Sequence, residues 1–308
     1  MSGKRLERAA VAAPADGALR GVLYMLASTL LFSLMHASVR HVSGHLHAFQ
    51  IAFFRNLFGT LVLLPWLLRF GLEPFRTGRF GLHMLRVAFN LVAMMCFFYA
   101  LTIAPLAQVT ALSFTAPIFA TLLAIPILGE TVRLRRWAAI LLGFAGTLII
   151  LRPGVAEIGL GPLVTLVSSL AWACALMTIK TLGRTEQSIT IIAYMTFLMT
   201  PLSLIPALFV WQWPSGEELL WLVWIGVIGT LGQWLMTESL RQADTAVVMP
   251  FDFFKLVWVS LIAYAAFREV PDLSTWLGGA VIFASTFYIA YREQQLGKMP
   301  ATPSSTQS

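Results

Sequence analysis

Residues Leu101–Trp137 read LTIAPLAQVTALSFTAPIFATLLAIPILGETVRLRRW, and residues Leu240–Trp276 read LRQADTAVVMPFDFFKLVWVSLIAYAAFREVPDLSTW. Laid on each other without a gap, they match at Ala104/Ala243, Ala107/Ala246, Phe114/Phe253, Glu130/Glu269 and Trp137/Trp276. Apolar matches arise easily between membrane-like segments. A glutamate, a phenylalanine and a tryptophan shared at one fixed offset do not, and they read as a duplicated chain.

The duplication sits in a chain of 308 residues that is 58% hydrophobic and only 11% charged. Soluble domains carry about 25% charged residues, and a water-soluble fold of this size could not hide so much apolar surface. A bilayer-crossing helix takes roughly 20 mostly apolar residues. Breaking the sequence at charges, Pro and Gly predicts ten such helices, over 20–43, 48–70, 81–103, 108–128, 135–152, 161–180, 189–211, 217–239, 244–267 and 273–292. Five fall in each half. Five is odd, so the second half enters the membrane from the opposite face. The expected fold is therefore an all-α integral membrane protein with ten transmembrane helices arranged as a five-plus-five inverted repeat, a plan common among secondary transporters. The predicted divisions are a cytoplasmic tail over 1–19, repeats over 20–152 and 153–292, and a disordered cytoplasmic tail over 293–308, the last on composition. Residues 1–19 lack the apolar core of a secretory signal. So little lies outside the ten spans that no soluble catalytic domain is expected.

The net charge of +7 invites a nucleic-acid reading, but its distribution opposes one. With the N-terminus inside, the inward loops and ends collect sixteen Lys and Arg residues from Lys4 to Lys298, against Arg40, Arg152 and Arg268 outside. Cytoplasmic loops are the ones that carry such an excess. The basic balance is thus a topology signal that places both termini in the cytoplasm of a multi-pass inner-membrane protein.

Asp252 and Lys255 stand inside an apolar run, Ala246–Phe267, that is otherwise suited to lipid. A charge at the centre of a spanning helix costs about 2.5–3.5 kcal/mol on the insertion scale. Leu, Ile, Phe and Val return only about 0.3–0.6 kcal/mol each. Three residues apart, the two charges share one helix face, so they are tolerated if that face meets protein or water. Pro250 weakens the helix just before them by removing a backbone donor. Two readings stand: a structural ion pair that locks the ninth helix, or a cavity lining where Lys255 or Asp252 meets substrate or a coupling proton. Ser113 and Ala116 occupy the equivalent positions of the first half, so the fold's symmetry does not demand the pair.

Arg55, with Asn56 beside it, is the other deep charge. Its planar fork of donors suits carboxylates and other planar acceptors. It reads as a substrate anchor, as a partner for Asp252, or as a side chain reaching toward headgroups. Arg86 lies nearer the inner face, where topology alone accounts for it. Asn90, Gln233 and Gln108 are polar residues on apolar runs, for which interhelical hydrogen bonding competes with ligand contact. His36 lies inside the first helix, and an imidazole suits proton coupling. His41, His45 and His47 follow in a loop with no nearby Cys or ordering signal, so no metal site is expected. Cys96 and Cys174 each sit in an apolar run and imply no disulfide framework. Trp211, Trp213, Trp221 and Trp224 fit an interfacial belt. Phe251, Phe253, Phe254, Tyr99 and Trp172 could stack on a flat ring. Gly226, Gly229 and Gly232, like Gly143 and Gly146, form small-residue rows that let helices approach closely.

The segments FFRN, TAPIFATLLAIPILGETV, LLGFAGTLIILRPG and FREVPDLSTWLGGAVIFASTFYIAYRE resemble the EamA-type drug/metabolite transporter superfamily across residues 20–292. The resemblance implies ten helices around a central cavity. It also implies a structural loop role for Glu130 and Glu269. One departure is Arg268, which stands where the first half has Gly129, so the two loops are not expected to share one turn geometry. The FFRN-like second helix and PFDF-like ninth helix resemble importers of riboflavin and of S-adenosylmethionine; other members export amino acids or drugs. The expected function is a secondary transporter with a small-molecule substrate, uptake of riboflavin first, no cofactor and no nucleic-acid partner. Coupling to a proton stays open, and the pattern specifies no oligomer. A membrane enzyme would need clustered His and carboxylates, traced only in the histidine group. A channel would need a ring of like charges or a filter loop. No phosphate-cradling Gly-rich loop with Lys points to ATP.

Overall fold

A computed structural model of the protein describes residues 15–68, 77–128, 134–153, 159–183, 185–186, 188–243 and 245–297. Its regular elements are helical: α1 Ala15–Val42, α2 Ala48–Leu68, α3 Phe80–Ile103, α4 Leu106–Ser113, α5 Ala116–Leu128, α6 Leu134–Leu151, α7 Leu160–Leu182, α8 Ser188–Leu208, α9 Gly216–Gln242, α10 Thr245–Val248, α11 Phe254–Phe267 and α12 Leu273–Gly297. A 3-10 turn over Met249–Phe253 joins α10 to α11. Eight stretches are long and apolar enough to cross a membrane, one of them spanning α4 and α5. The shorter apolar helices Trp137–Leu151 and Leu273–Ile289, in α6 and α12, complete ten crossings. Helix α8 stops at Leu208, short of the expected 211, after Pro201 and Pro206 within it. Helix α12 continues to Gly297, beyond the expected end at 292.

The fourth and ninth crossings are broken, at positions equivalent in the repeat. In the fourth, Pro117 offers no N–H to the Ser113 carbonyl, and the helix tightens at Phe114 and Thr115 before α5 resumes. In the ninth, Pro250 opens the 3-10 turn. Backbone angles at Phe114 (φ −67°, ψ −5°) and Phe253 (φ −63°, ψ −23°) stay right-handed. Each break is a tightened turn, not a reversal. Carbonyls at the breaks find hydroxyl donors on neighbouring helices. Thr286 Oγ1 donates to Phe114 O at 3.1 Å, and Ser33 Oγ donates to Lys255 O at 3.2 Å. Such substitutes are what irregular backbone needs in a site without bulk water.

The helices pack mainly between the halves. Helix α1 runs along α9, α3 along α7, α6 along α12, and α2 against α8 and α9, while α4 meets α11. Exchanging α1 with α7 and α3 with α9 maps the first pairing onto the second, which is the two-fold relation an inverted repeat requires. Backbones touch where α6 crosses α12. A Cβ on Gly146 would come within 2.8 Å of Gly278 O, and one on Gly278 within 2.5 Å of Gly146 O. The interior is filled by Leu101, Leu106, Leu112, Ile118, Ile140, Leu256 and Ile282, all buried. The perimeter is apolar, as Phe209 and Trp213 show at 86% exposure. That surface needs lipid around it.

The end of the bundle holding the α1–α2 loop is stitched together across the halves. Arg40 donates to Leu101 O at 2.8 Å, to Ala104 O at 2.9 Å and to Glu269 Oε1 at 3.0 Å. The other Glu269 oxygen accepts Leu106 N–H at 3.0 Å, at the first residue of α4. Gln50 Nε2 donates to Gln212 O, and Gln212 N–H donates back to Gln50 Oε1 at 3.1 Å. Arg152 reaches Ser274 and pairs with Asp272 at 3.5 Å. Arg268 is left-handed (φ 58°, ψ 23°), a conformation that favours the glycine found at the equivalent position of the first half. Glu130 lies outside the described residues. The tryptophan belt divides: Trp213 and Trp224 are exposed, whereas Trp211 packs on Phe53 and Phe54 and Trp221 on His41.

Candidate substrate site at the helix breaks

The breaks bring the interior polar residues together. Asp252 stands in the 3-10 turn and Lys255 at the start of α11. Lys255 Nζ donates to Asp252 Oδ1 at 2.9 Å, and the two side chains retain 17% and 15% exposure. The ammonium also lies 5.7 Å from the Phe32 ring centroid and 5.8 Å from that of Phe114, within cation–π range. One aromatic comes from α1, the other from the break in the first half. The pair therefore stands at the join of the two repeats, short of full burial.

From Phe32 the contacts continue outward. The Phe32 ring stacks on His36 at 6.5 Å, and His36 meets the edge of Phe97 at 4.9 Å. His36 is buried and within the electrostatic reach of both Lys255 and Arg55. Arg55 donates to Asn56 Oδ1 at 3.2 Å. Its guanidinium lies over Gly229 of α9, where an added Cβ would meet Arg55 Nε at 3.4 Å and Met35 Sδ at 2.6 Å. At about 1.5 Å per residue, Lys255 is about 18 Å from the end of α11, whereas His36 and Arg55 are about 9–11 Å from the matching ends of α1 and α2. The site thus has two levels: the ion pair near mid-membrane, and His36 with Arg55 nearer the stitched end.

Arg55 does not pair with Asp252, which Lys255 already holds. Asn90 is buried and donates to Met199 Sδ at 3.6 Å, and one turn away Arg86 donates to Ile191 O at 2.6 Å and Met195 Sδ at 3.2 Å. Both side chains of α3 are thereby engaged with α8. Arg86 is a buried interhelical link, more than the loop-side topology charge its position suggested. Gln233 is exposed on α9 and does not join these contacts. Gln108 lines a separate cavity of about 440 Å³ with Tyr99, Arg152 and Asp272. The loop histidines diverge: His41 packs on Trp221, and His47 Nδ1 accepts from Phe49 N–H at 3.2 Å. Among the described residues no three His, Cys, Asp or Glu side chains gather as a metal site. Cys96 and Cys174 are free thiols.

Sequence comparison meets this geometry at the level of the whole chain. A family model described as the EamA-like transporter family matches twice, over residues 19–152 and 159–291. The chain belongs to that family. It is similar to a riboflavin transporter of Vibrio cholerae, 34% identical over 281 residues covering 89% of this chain and 94% of the relative. It is also similar to a riboflavin transporter of Rhizobium johnstonii, 32% identical over 97% of this chain and 100% of the relative. An S-adenosylmethionine uptake transporter of Rickettsia prowazekii is 29% identical over 90% of this chain and 94% of its own length. One solved crystal structure superposes with a TM-score of 0.60 at 19% identity, covering 90% of this chain and 98% of that one, a likeness of fold. As an EamA-like transporter the chain takes a small-molecule substrate across a bilayer, and the membrane-enzyme alternative falls away. In this transporter the sequence had singled out Arg55, His36, Asp252 and Lys255. It had named Asn56 only as the neighbour of Arg55 and Phe114 only as a repeat match, and had not separated Phe32 and Phe97 from the apolar background. Phe32 and Phe97 stand in apolar runs, with no charge or proline beside them to mark them.

Proposed function

We propose that the chain imports riboflavin across the bacterial inner membrane, with both termini in the cytoplasm. The observation that carries the substrate reading is the composition of the site. A column of aromatic rings, Phe32, His36 and Phe97, adjoins two cations and one anion, Lys255, Arg55 and Asp252. A neutral, flat, fused-ring molecule suits such a wall. S-adenosylmethionine carries a sulfonium and an ammonium against one carboxylate, so its net charge opposes that of the site. It remains the second reading because the Rickettsia relative bears that name. The similarity to two riboflavin transporters adds to the first. The orientation rests on the excess of Lys and Arg in the inward loops. Lys255 and Asp252 line the substrate path in this proposal, Arg55 and His36 anchor the ligand, and Asn90 holds α3 to α8. A proton is the simplest coupling ion, since the site's titratable groups are His36 and the Asp252–Lys255 pair. The test is uptake of labelled riboflavin, and separately of labelled S-adenosylmethionine, by auxotrophs expressing the chain, with counterflow in vesicles. Saturable riboflavin counterflow supports the reading. S-adenosylmethionine counterflow without riboflavin counterflow replaces it with the second.

A further inference from the structure

The upper level of the site holds polar groups left without a partner among the described residues. Arg55 forms no ion pair with a carboxylate among the described residues; its side chain spends a donor on Asn56 Oδ1. A guanidinium has five N–H donors in a fixed fork, so most of the fork is left over. Asn56 is 4% exposed, and its amide is oriented by the oxygen that Arg55 holds. Its Nδ2 group is buried with no partner among the described residues, and the same is true of His36 Nδ1. Buried polar groups are nearly always hydrogen-bonded, and an exception calls for an explanation. Here two exceptions come from α1 and α2: Asn56 touches the guanidinium directly, and His36 follows Met35, whose sulfur meets the same point of Gly229 as Arg55 Nε. Gly229 adds to the picture: the guanidinium lies against α9 where any side chain would displace Met35 or Arg55.

We infer that Arg55, Asn56 and His36 form a hydrogen-bonding subsite for the imide edge of a planar ring. An imide presents two carbonyl acceptors with an N–H between them. Arg55 and Asn56 supply donors for the carbonyls. His36 Nδ1, in the tautomer with its proton on Nε2, accepts the N–H. Phe32 and Phe97 flank His36 and give the rest of a fused ring a surface to lie on. The pyrimidinedione end of a flavin has this pattern. A carboxylate, with acceptors alone, would leave the ring nitrogen unmatched. The inference rests on the riboflavin reading and deepens it by assigning which edge of the ring is read, and by which residues. It also separates this subsite from the Asp252–Lys255 pair, whose charges are already matched.

The test compares riboflavin with riboflavin methylated on its imide nitrogen, as competitors of labelled riboflavin counterflow by the full-length protein in proteoliposomes. The methylated compound should compete at least about tenfold more weakly with the wild type, the effect of one lost buried hydrogen bond. His36→Phe should abolish that discrimination by weakening riboflavin to the level of its analogue. Arg55→Gln and Asn56→Leu should raise half-saturation by about tenfold or more at normal membrane abundance. Equal competition by the two compounds in the wild type overturns the subsite while riboflavin transport stands, and needs no variant to fold. Unchanged half-saturation in Arg55→Gln does the same. Absence of riboflavin counterflow in the wild type overturns the functional reading, and the assigned ligand edge with it.

Discussion

Glu269 binds Arg40 with one carboxylate oxygen and the Leu106 amide with the other, each at 3.0 Å. Through this one side chain the loop between α11 and α12 is tied to the end of α1 and the start of α4. Arg40 extends the tie to the last carbonyls of α3. Four elements from both halves therefore meet at one partly buried carboxylate.

Glu269→Ala should destabilise the purified protein by about 1–3 kcal/mol, because it leaves both Arg40 and the Leu106 amide short of an acceptor. Glu269→Gln keeps an oxygen for one of them and should fall about midway. Thermal unfolding in detergent checks the order; equal stability of the alanine variant and the wild type would show that the tie is decorative.

Asp252→Asn should strand the Lys255 ammonium near mid-membrane and lower membrane abundance, since breaking a buried pair costs about 3–5 kcal/mol. Asp252→Asn with Lys255→Met should restore abundance. On the proposed function, the double variant remains inactive in counterflow. Wild-type transport and affinity in that variant would make the pair a structural lock.

Gly146→Ala and Gly278→Ala should each reduce folded protein, by about 1–3 kcal/mol for overpacking. The added methyl meets a backbone carbonyl of the facing helix within 2.8 Å or less, and backbone cannot swing aside. Gly232→Ala is the control, because its nearest neighbours lie at 3.5 Å. Size-exclusion profiles of the three variants separate the cases. A Gly146→Ala profile identical to the wild type would contradict the close crossing of α6 and α12.

Gly183→Cys and Gly216→Cys report orientation, in a background lacking Cys96 and Cys174. Both positions are exposed, at the end of α7 and the start of α9. An impermeant thiol reagent should label Gly216→Cys in intact cells and Gly183→Cys only after the membrane is opened. The reverse pattern would invert the proposed topology.

Ten crossings, the duplication and the shared face of Asp252 and Lys255 were legible without coordinates. Each depends on something local or repetitive: the length of an apolar run against the thickness of a bilayer, a recurring Glu and Trp, or a three-residue spacing on a helix. Pro250 likewise announced a weakened ninth helix. The matching break in the fourth helix was less visible, because Pro117 sits in a run that reads as continuous. The left-handed turn at Arg268 was not legible, because an arginine in place of the first half's glycine pointed to a different turn geometry, and surrounding packing rather than residue type holds the backbone there.

Partner choice was decided by the tertiary structure alone. The sequence by itself determined that Arg55 and Asp252 lie in the membrane, and left open whether they meet. Packing of α1 and α2 on α9 settled it, placing Arg55 over Gly229 with Met35 and against Asn56 while Lys255 took Asp252. Arg86 found the carbonyl of Ile191 and the sulfur of Met195 in the same way. The physical reason is one of range. Hydrophobic length and helical period act over a few turns of a single segment. A hydrogen bond between residues far apart in sequence forms only once helix rotation and depth are set by many apolar contacts, and no single side chain encodes those.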